Sequence, residues 1–310
     1  LKALHRGFRA IARRVIFRYR AICEGDRGLR FALDGRCFRH SLKTGPDAVT
    51  RVVRRAVELG AEGMLFDYVA LPDELCANPV RLLSLQSEFR LEYALGCGAP
   101  LALPRVLWRA SHERRQSELQ MAQALNAKVV RIPLSLMSPI SFTPLSSVAV
   151  GSWYLARALA PRLRRVCEKA ASRGLTIAIE NDGSFRTETL LRLLELVDRP
   201  NLGASLAIGR FVAQGEDPYR AIERLAPHAA LVVLSDVVGA GVSARGTTLG
   251  EGRIDFGEIL RLLRRAGYDG LAAVRVDTSR READRADERV QRSFVHLTQV
   301  RDAVDKENAS

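Results

Sequence analysis

LTIAIEND (Leu175–Asp182), LGASLAIG (Leu202–Gly209), ALVVLSD (Ala230–Asp236) and LAAVRVD (Leu271–Asp277) are four versions of one unit. Each run is seven or eight residues of mostly Val, Ile, Leu and Ala, bounded by Gly, Asn or Asp, which is the pattern of a strand covered on both faces. Between the runs, Thr187–Val197 and Phe256–Ala266 carry the apolar spacing of amphipathic helices. They are also long enough for the crossover of a βαβ unit. Strand, helix and strand repeated in this way predict an α/β chain on a parallel sheet.

The same unit can be followed backwards. Leu29–Asp34, Gly63–Val69, Phe89–Leu95 and Lys128–Pro133 read as earlier strands, and Asp47–Leu59, Asn78–Glu88, His112–Leu125 and Trp153–Ser172 as helices. Eight units predict a closed (β/α)8 TIM barrel over an open doubly wound sheet. No GxGxxG follows the first strand, against a dinucleotide fold. The loop Leu134–Val150, with Pro139, Pro144 and several serines, is longer than most connections. It follows a strand, the end at which such a barrel keeps its working surface. In Arg281–Ser310, Val290, Phe294, Leu297 and Val300 have helical spacing and supply the last helix. The expected organisation is a basic helical extension over 1–28, the barrel over 29–304 and a frayed tail over 305–310.

With 310 residues, 47% hydrophobic and 27% charged, the chain can bury one barrel-sized core. No apolar run reaches the roughly eighteen residues of a membrane-spanning helix. Cys23, Cys37, Cys76, Cys97 and Cys167 are scattered without a CxxC, so a reduced, cytoplasmic setting is expected. The net charge of +13 comes mainly from arginine. It suits nucleic acid, anionic lipid or a phosphorylated substrate, but the general bias of an arginine-rich proteome explains it more simply. The first residue is Leu1, so the natural start is expected elsewhere. In Leu1–Ile22, Leu4, Phe8, Ile11, Val15, Tyr19 and Ile22 face one way and Lys2, Arg6, Arg9, Arg13 and Arg20 the other. This basic amphipathic helix has three readings: packing across the barrel bottom, which is preferred, an anionic-surface or nucleic-acid contact, and a targeting segment.

GLTIAIEND, RPNLGASLAIG, GEDPYRAIERLAPHAALVVLSD and above all LGEGRIDFGEILRLLRRAGYDG (Leu249–Gly270) resemble the xylose isomerase-like barrels. That superfamily includes sugar isomerases and epimerases, inosose dehydratases, hydroxypyruvate isomerase and the apurinic endonucleases. The resemblance runs from about Ala122 to Asp277 and implies a sugar phosphate isomerase/epimerase fold. It further implies a divalent metal (Mn, Co, Mg or Zn) held by Glu, Asp, His and Glu at the ends of the fifth to eighth strands. Such a metal stabilises an enediolate or activates water. Glu180 falls on the first ligand position, whereas Ala207, Val233 and Arg275 stand at the others. The missing ligands imply a degenerate active site with no resident metal.

The period of two in a strand says which side chains share a face with Glu180: Ala178 and Thr176 below it, Asp182 beyond it, and by the same count Arg275 with Ala273. Arg131 faces inward if Val129 does. A buried carboxylate needs a partner. Arg275 is expected to supply it as a bidentate pair with Glu180, in the place of a cation. Arg131, Arg210 and Arg275 then suit an anionic ligand, or form an internal ion-pair network. Asp236 is either a ligand contact or the acceptor of an Asx turn, and Glu251 and Arg253 shape the loop ahead of Asp255, a good N-cap. Of the five histidines only His40, just past the first strand, falls at the working end. No HxxxH, GxSxG or P-loop occurs.

Three functions compete. The first is a non-catalytic or metal-free binder of a small sugar-like or anionic ligand. The second is an active isomerase with a displaced metal site of Glu180, Asp236 and Asp277. The third, a nucleic-acid enzyme like the apurinic endonucleases, is disfavoured because those hold a metal cluster with many histidines. Self-association into a homo-oligomer is left open.

Overall fold

A computed structural model describes residues 29–42, 44–98, 101, 108–134, 155–182, 185–277 and 284–309. Eight parallel strands form a closed barrel: β1 (Arg30–Asp34), β2 (Gly63–Asp67), β3 (Glu92–Gly96), β4 (Val129–Ile132), β5 (Thr176–Glu180), β6 (Leu202–Ala207), β7 (Ala229–Leu234) and, closing onto β1, β10 (Leu271–Val274). Between β7 and β10 a small antiparallel ribbon is made by β8 (Asp236–Val238) and β9 (Arg245–Thr247). The expected (β/α)8 architecture is what forms.

The main helices around the barrel are α1 (Pro46–Glu58), α2 (Val80–Phe89), α3 (Trp108–Ala124), α4 (Ala160–Ala171), α5 (Thr187–Val197), α6 (Ile208–Ala213), α7 (Pro218–Leu225), α8 (Phe256–Arg265) and α9 (Ala286–Ala309). Asp217 and Asp255 start α7 and α8 by accepting from the amides two and three residues on, which gives otherwise unpartnered N–H groups an acceptor. Phe89, read from sequence as the start of the third strand, instead ends α2, because Arg90 takes the left-handed conformation that stops the helix (φ 52). Likewise Ile208 and Gly209 open α6 instead of prolonging β6. Where fraying was expected from residue 305, α9 continues to Ala309, tied to α8 by Arg261 to Glu307 (2.9 Å) and by Arg264 to Asp305. The basic extension over 1–28 and most of the loop after β4 lie outside the described residues.

Each barrel strand is buried on both faces, and its two faces feed different cores. Outward-facing Phe31, Leu33, Met64, Phe66, Val130 and Ile177 pack beneath the helices. Inward-facing Ala32, Leu65, Ala94, Val129, Ala178, Val233 and Ala273 fill the barrel. Burying a large apolar side chain contributes about 1.5–3 kcal/mol, so this double covering holds the strand ends in place. No helix among the described residues is long and apolar enough to cross a membrane.

Candidate functional site

Two residues beyond each inward residue of the apolar layer lies the next inward position, and there the chemistry changes. Above Ala32 stands Asp34; above Leu65, Asp67; above Ala94, Gly96; above Val129, Arg131; above Ala178, Glu180; above Ala273, Arg275. A ring of charge thus sits on an apolar floor at the C-terminal ends of the strands. Asp34 and Arg131 are fully buried, and Glu180, Arg275 and Asp67 nearly so.

The ring is knitted by guanidiniums. Arg275 Nε donates to Asp34 Oδ2 (2.7 Å), and Arg275 Nη1 reaches Glu180 Oε1 at 3.4 Å. Arg131 Nη2 donates to Asp67 Oδ1, while its Nη1 lies 3.8 Å from both Asp34 Oδ2 and Glu180 Oε1. Arg36, just past β1, closes on Asp67 through Nε. Arg210, from α6, approaches Glu180 Oε1 with its Nε at 3.9 Å. Gly96 is part of this design: a Cβ there would fall on Asp67 Oδ1 and the Arg131 guanidinium. The pairing of Arg275 with Glu180 is therefore one long contact and not the bidentate fork expected from sequence. Its tighter partner is Asp34, which the sequence reading did not single out. Glu180 shares three arginines and is owned by none.

Burial by itself would raise the carboxyl groups of Asp34 and Glu180. For Glu180 the positive charges of Arg131, Arg210, Arg275 and Arg36 outweigh burial and hold it far below the usual range. For Asp34, Arg275, Arg131 and Arg36 do the same. Arg275 responds in kind: burial disfavours its charge, but Asp34, Glu180 and Asp277 hold the proton more firmly than usual. All three groups are ionised at neutral pH.

Over the ring opens a cavity of about 590 Å³, bordered by Arg36, Arg39, Asp67, Arg210, Arg275 and Asp277 among others. Arg131 is sealed beneath it. His40 falls in the helical turn Arg39–Leu42 after β1, and its side chain lies outside the described residues. Asn181 extends the ladder past the end of β5, donating to Ala207 O (3.1 Å) and accepting from Ala207 N (2.7 Å).

Asp236 is buried and turned to the backbone. Its carboxylate accepts from Val237 N (2.8 Å), Gly250 N (3.0 Å), Gly252 N (2.9 Å) and Ile254 N (3.3 Å). These contacts explain the LGEGRID stretch physically: its amides wrap one carboxylate, and a Cβ on Gly252 would collide with that carboxylate. Of the two sequence readings for Asp236, the geometry places it in loop support. Among the described residues no group of three or more His, Cys, Asp or Glu side chains converges as metal ligands would.

A family model described as xylose isomerase-like TIM barrel matches residues 53–298. An uncharacterized protein of Methanocaldococcus jannaschii is 29% identical over 119 residues, so the chain spans about two fifths (40%) of that curated relative's length, using 36% of its own. Among solved structures, L-ribulose 3-epimerase superposes with a TM-score of 0.74 at 16% identity, covering 91% of this chain and 97% of that one. A xylose isomerase domain protein from Planctomyces limnophilus gives 0.69 at 15% identity, with 82% and 93% covered. A probable 3-DHS dehydratase of petrobactin synthesis from Bacillus anthracis gives 0.67 at 18% identity, with 87% and 98% covered. At such identities the likeness carries the fold.

Proposed function

The chain belongs to the xylose isomerase-like TIM barrel family, and within it we propose a metal-free, non-catalytic member that binds a small sugar-like or anionic molecule at the barrel mouth. The observation that carries this reading is Arg275, whose guanidinium bridges Asp34 and Glu180 from a position where the family's pattern calls for a metal ligand. A divalent cation next to Glu180 would need oxygen or nitrogen lone pairs around it. Ala207 and Val233 offer hydrocarbon, and Arg275, Arg131 and Arg210 turn N–H donors toward Glu180 at 3.4, 3.8 and 3.9 Å. A guanidinium has no acceptor to give and cannot be deprotonated near neutral pH. These residues do not fit a metal.

Proton transfer is a poor match as well. An effective general base has a pKa near the working pH, and Glu180, which burial alone would raise, is held far below its ordinary value by Arg131, Arg210 and Arg275. The displaced-metal alternative would enlist Asp236 and Asp277, yet both Asp236 oxygens are already taken by backbone amides. What remains is a polar, positively biased cavity on a rigid floor, which is the form of a binding site.

Metal analysis of protein purified without chelator, paired with thermal shift, tests the reading. The expected result is substoichiometric metal, no stabilisation by Mn, Co, Zn or Mg, and stabilisation by small sugar-like or anionic molecules. Stoichiometric metal with isomerase activity would falsify it.

A further inference from the structure

We propose that the mouth cavity is an oxyanion receptor, taking a small molecule through a phosphate or carboxylate group gripped by Arg210 and Arg36 beside Arg275. The inference rests on the cation-free reading above and narrows the ligand to one carrying negative charge.

Three guanidiniums face one cavity with donors left over. Arg210 borders the cavity with its side chain 43% exposed. Among the described residues its one ion-pair partner is Glu180, 3.9 Å from Nε and beyond hydrogen-bond length, and its side chain donates no hydrogen bond to any of them. Arg36 is anchored to Asp67 through Nε alone, which leaves both terminal amino groups without an acceptor among the described residues. Arg275 uses Nε and Nη1 on Asp34 and Glu180, and its buried Nη2 has no hydrogen-bond partner among the described residues. The carboxylates below therefore fix Arg36 and Arg275 by one edge and leave other donors unused, and Arg210 stands beside them. A guanidinium presents its donors as a planar fork that matches the oxygens of a phosphate or carboxylate.

The lining is rich in donors: Arg36, Arg210 and Arg275 border the cavity alongside the carboxylates of Asp67 and Asp277. The volume of about 590 Å³ lies within the roughly 300–1,000 Å³ of small-molecule pockets.

Calorimetric titration of the full chain at low ionic strength tests this with D-ribose 5-phosphate, D-gluconate, inorganic phosphate and neutral D-ribose. The charged probes should bind and D-ribose should not, and the phosphate and carboxylate arms tell which oxyanion is preferred. Arg210→Gln and Arg36→Gln should each weaken the preferred probe at least tenfold, while Arg220→Gln, on the exposed surface of α7, should leave it unchanged. Arg210→Gln lies outside the tight pairs, so the variant should remain folded, with a melting temperature without ligand only slightly below the parent's, by the loss of its charge near Glu180. Binding of D-ribose as tight as that of D-ribose 5-phosphate, or no response to Arg210→Gln, or no binding by any oxyanion probe, would overturn the proposal while leaving the cation-free site intact. Probe binding that requires added Mn, on a protein purified with stoichiometric metal, would instead bring down the reading beneath it.

Discussion

Arg275 Nε donates to Asp34 Oδ2 at 2.7 Å across the seam where the last barrel strand pairs with the first. The two residues are 241 positions apart, so the charge ring is completed by the same step that closes the sheet. Asp34 is further fixed by the Arg36 amide, which donates to Oδ1 at 2.9 Å. A buried ion pair contributes little net stability compared with a well-packed apolar pair, but breaking one side leaves a stranded charge.

The first prediction follows from that asymmetry. Arg275→Met strands Asp34 and Glu180, and should cost about 3–5 kcal/mol in denaturant unfolding at neutral pH. Asp34→Asn added to it should recover part of the loss, so the double variant is less destabilised than the two single losses summed. Strict additivity would mean that the pair is not coupled.

Acid stability gives the second. Asp34 and Glu180 are held below their ordinary values of 3.8 and 4.5 because their arginines outweigh burial. An unfolded chain then takes up protons that the folded one refuses, so stability rises with pH. The contribution is complete above about pH 5 and is lost as pH falls through the ordinary carboxylate range toward the depressed folded values, at up to about 1.4 kcal/mol per pH unit for each group. Melting temperatures between pH 7 and pH 3 should fall for the parent, and fall less steeply for Glu180→Gln. Parallel slopes would contradict the arginine effect on Glu180.

Much of this site is legible in the sequence, and the illegible part has a physical cause. Counting by two from Val129, Ala178 and Ala273 puts Arg131, Glu180 and Arg275 on the inner face. The same count from Ala32 and Leu65 puts Asp34 and Asp67 there too, although neither stands at a ligand position of the later strands. Strand period says which side chains face inward but not which ones meet. That depends on the stagger of the closed sheet, in which Arg131 pairs in register with Gly96 and Ala178, and Ala273 with Ala32. So Arg275 finds Asp34 first and Glu180 second. Asp236 shows the other limit: its partners come from amides fourteen to eighteen residues downstream, in a loop whose path no periodicity describes.

The third prediction concerns that loop. Asp236→Asn replaces one oxygen facing backbone N–H groups with an amino group, and should destabilise by about 2–4 kcal/mol. Limited proteolysis of this variant should cut within residues 245–254 ahead of the rest of the chain. Gly252→Ala, whose Cβ would meet the Asp236 carboxylate, should reproduce the effect. A variant as stable and as protease-resistant as the parent would remove the loop-support role.

Gly96 carries the fourth. It gives up its side chain so that Asp67 and Arg131 can meet over β3. Gly96→Ala would force that buried pair apart or shift the strand, at a cost of about 1–3 kcal/mol in unfolding free energy. A neutral Gly96→Ala would show that the pair has room to spare.

The fifth asks whether Arg275 truly stands where a cation could. Arg275→Glu reverses the charge at the point nearest Glu180 and Asp34, leaving Asp34, Asp67, Glu180 and the new carboxylate around Arg131. Repulsion among buried carboxylates is severe unless a positive charge joins them. If the guanidinium fills a cation's place, an added dication should do the same, so Mn or Mg should raise the melting temperature of Arg275→Glu by several degrees, or permit refolding that fails without metal. Arg275→Gln is the control, because it removes the guanidinium without adding a ligand charge and should respond to metal no more than the parent does. Equal metal responses in Arg275→Glu and Arg275→Gln would mean that the space between Asp34 and Glu180 is shaped for a guanidinium alone.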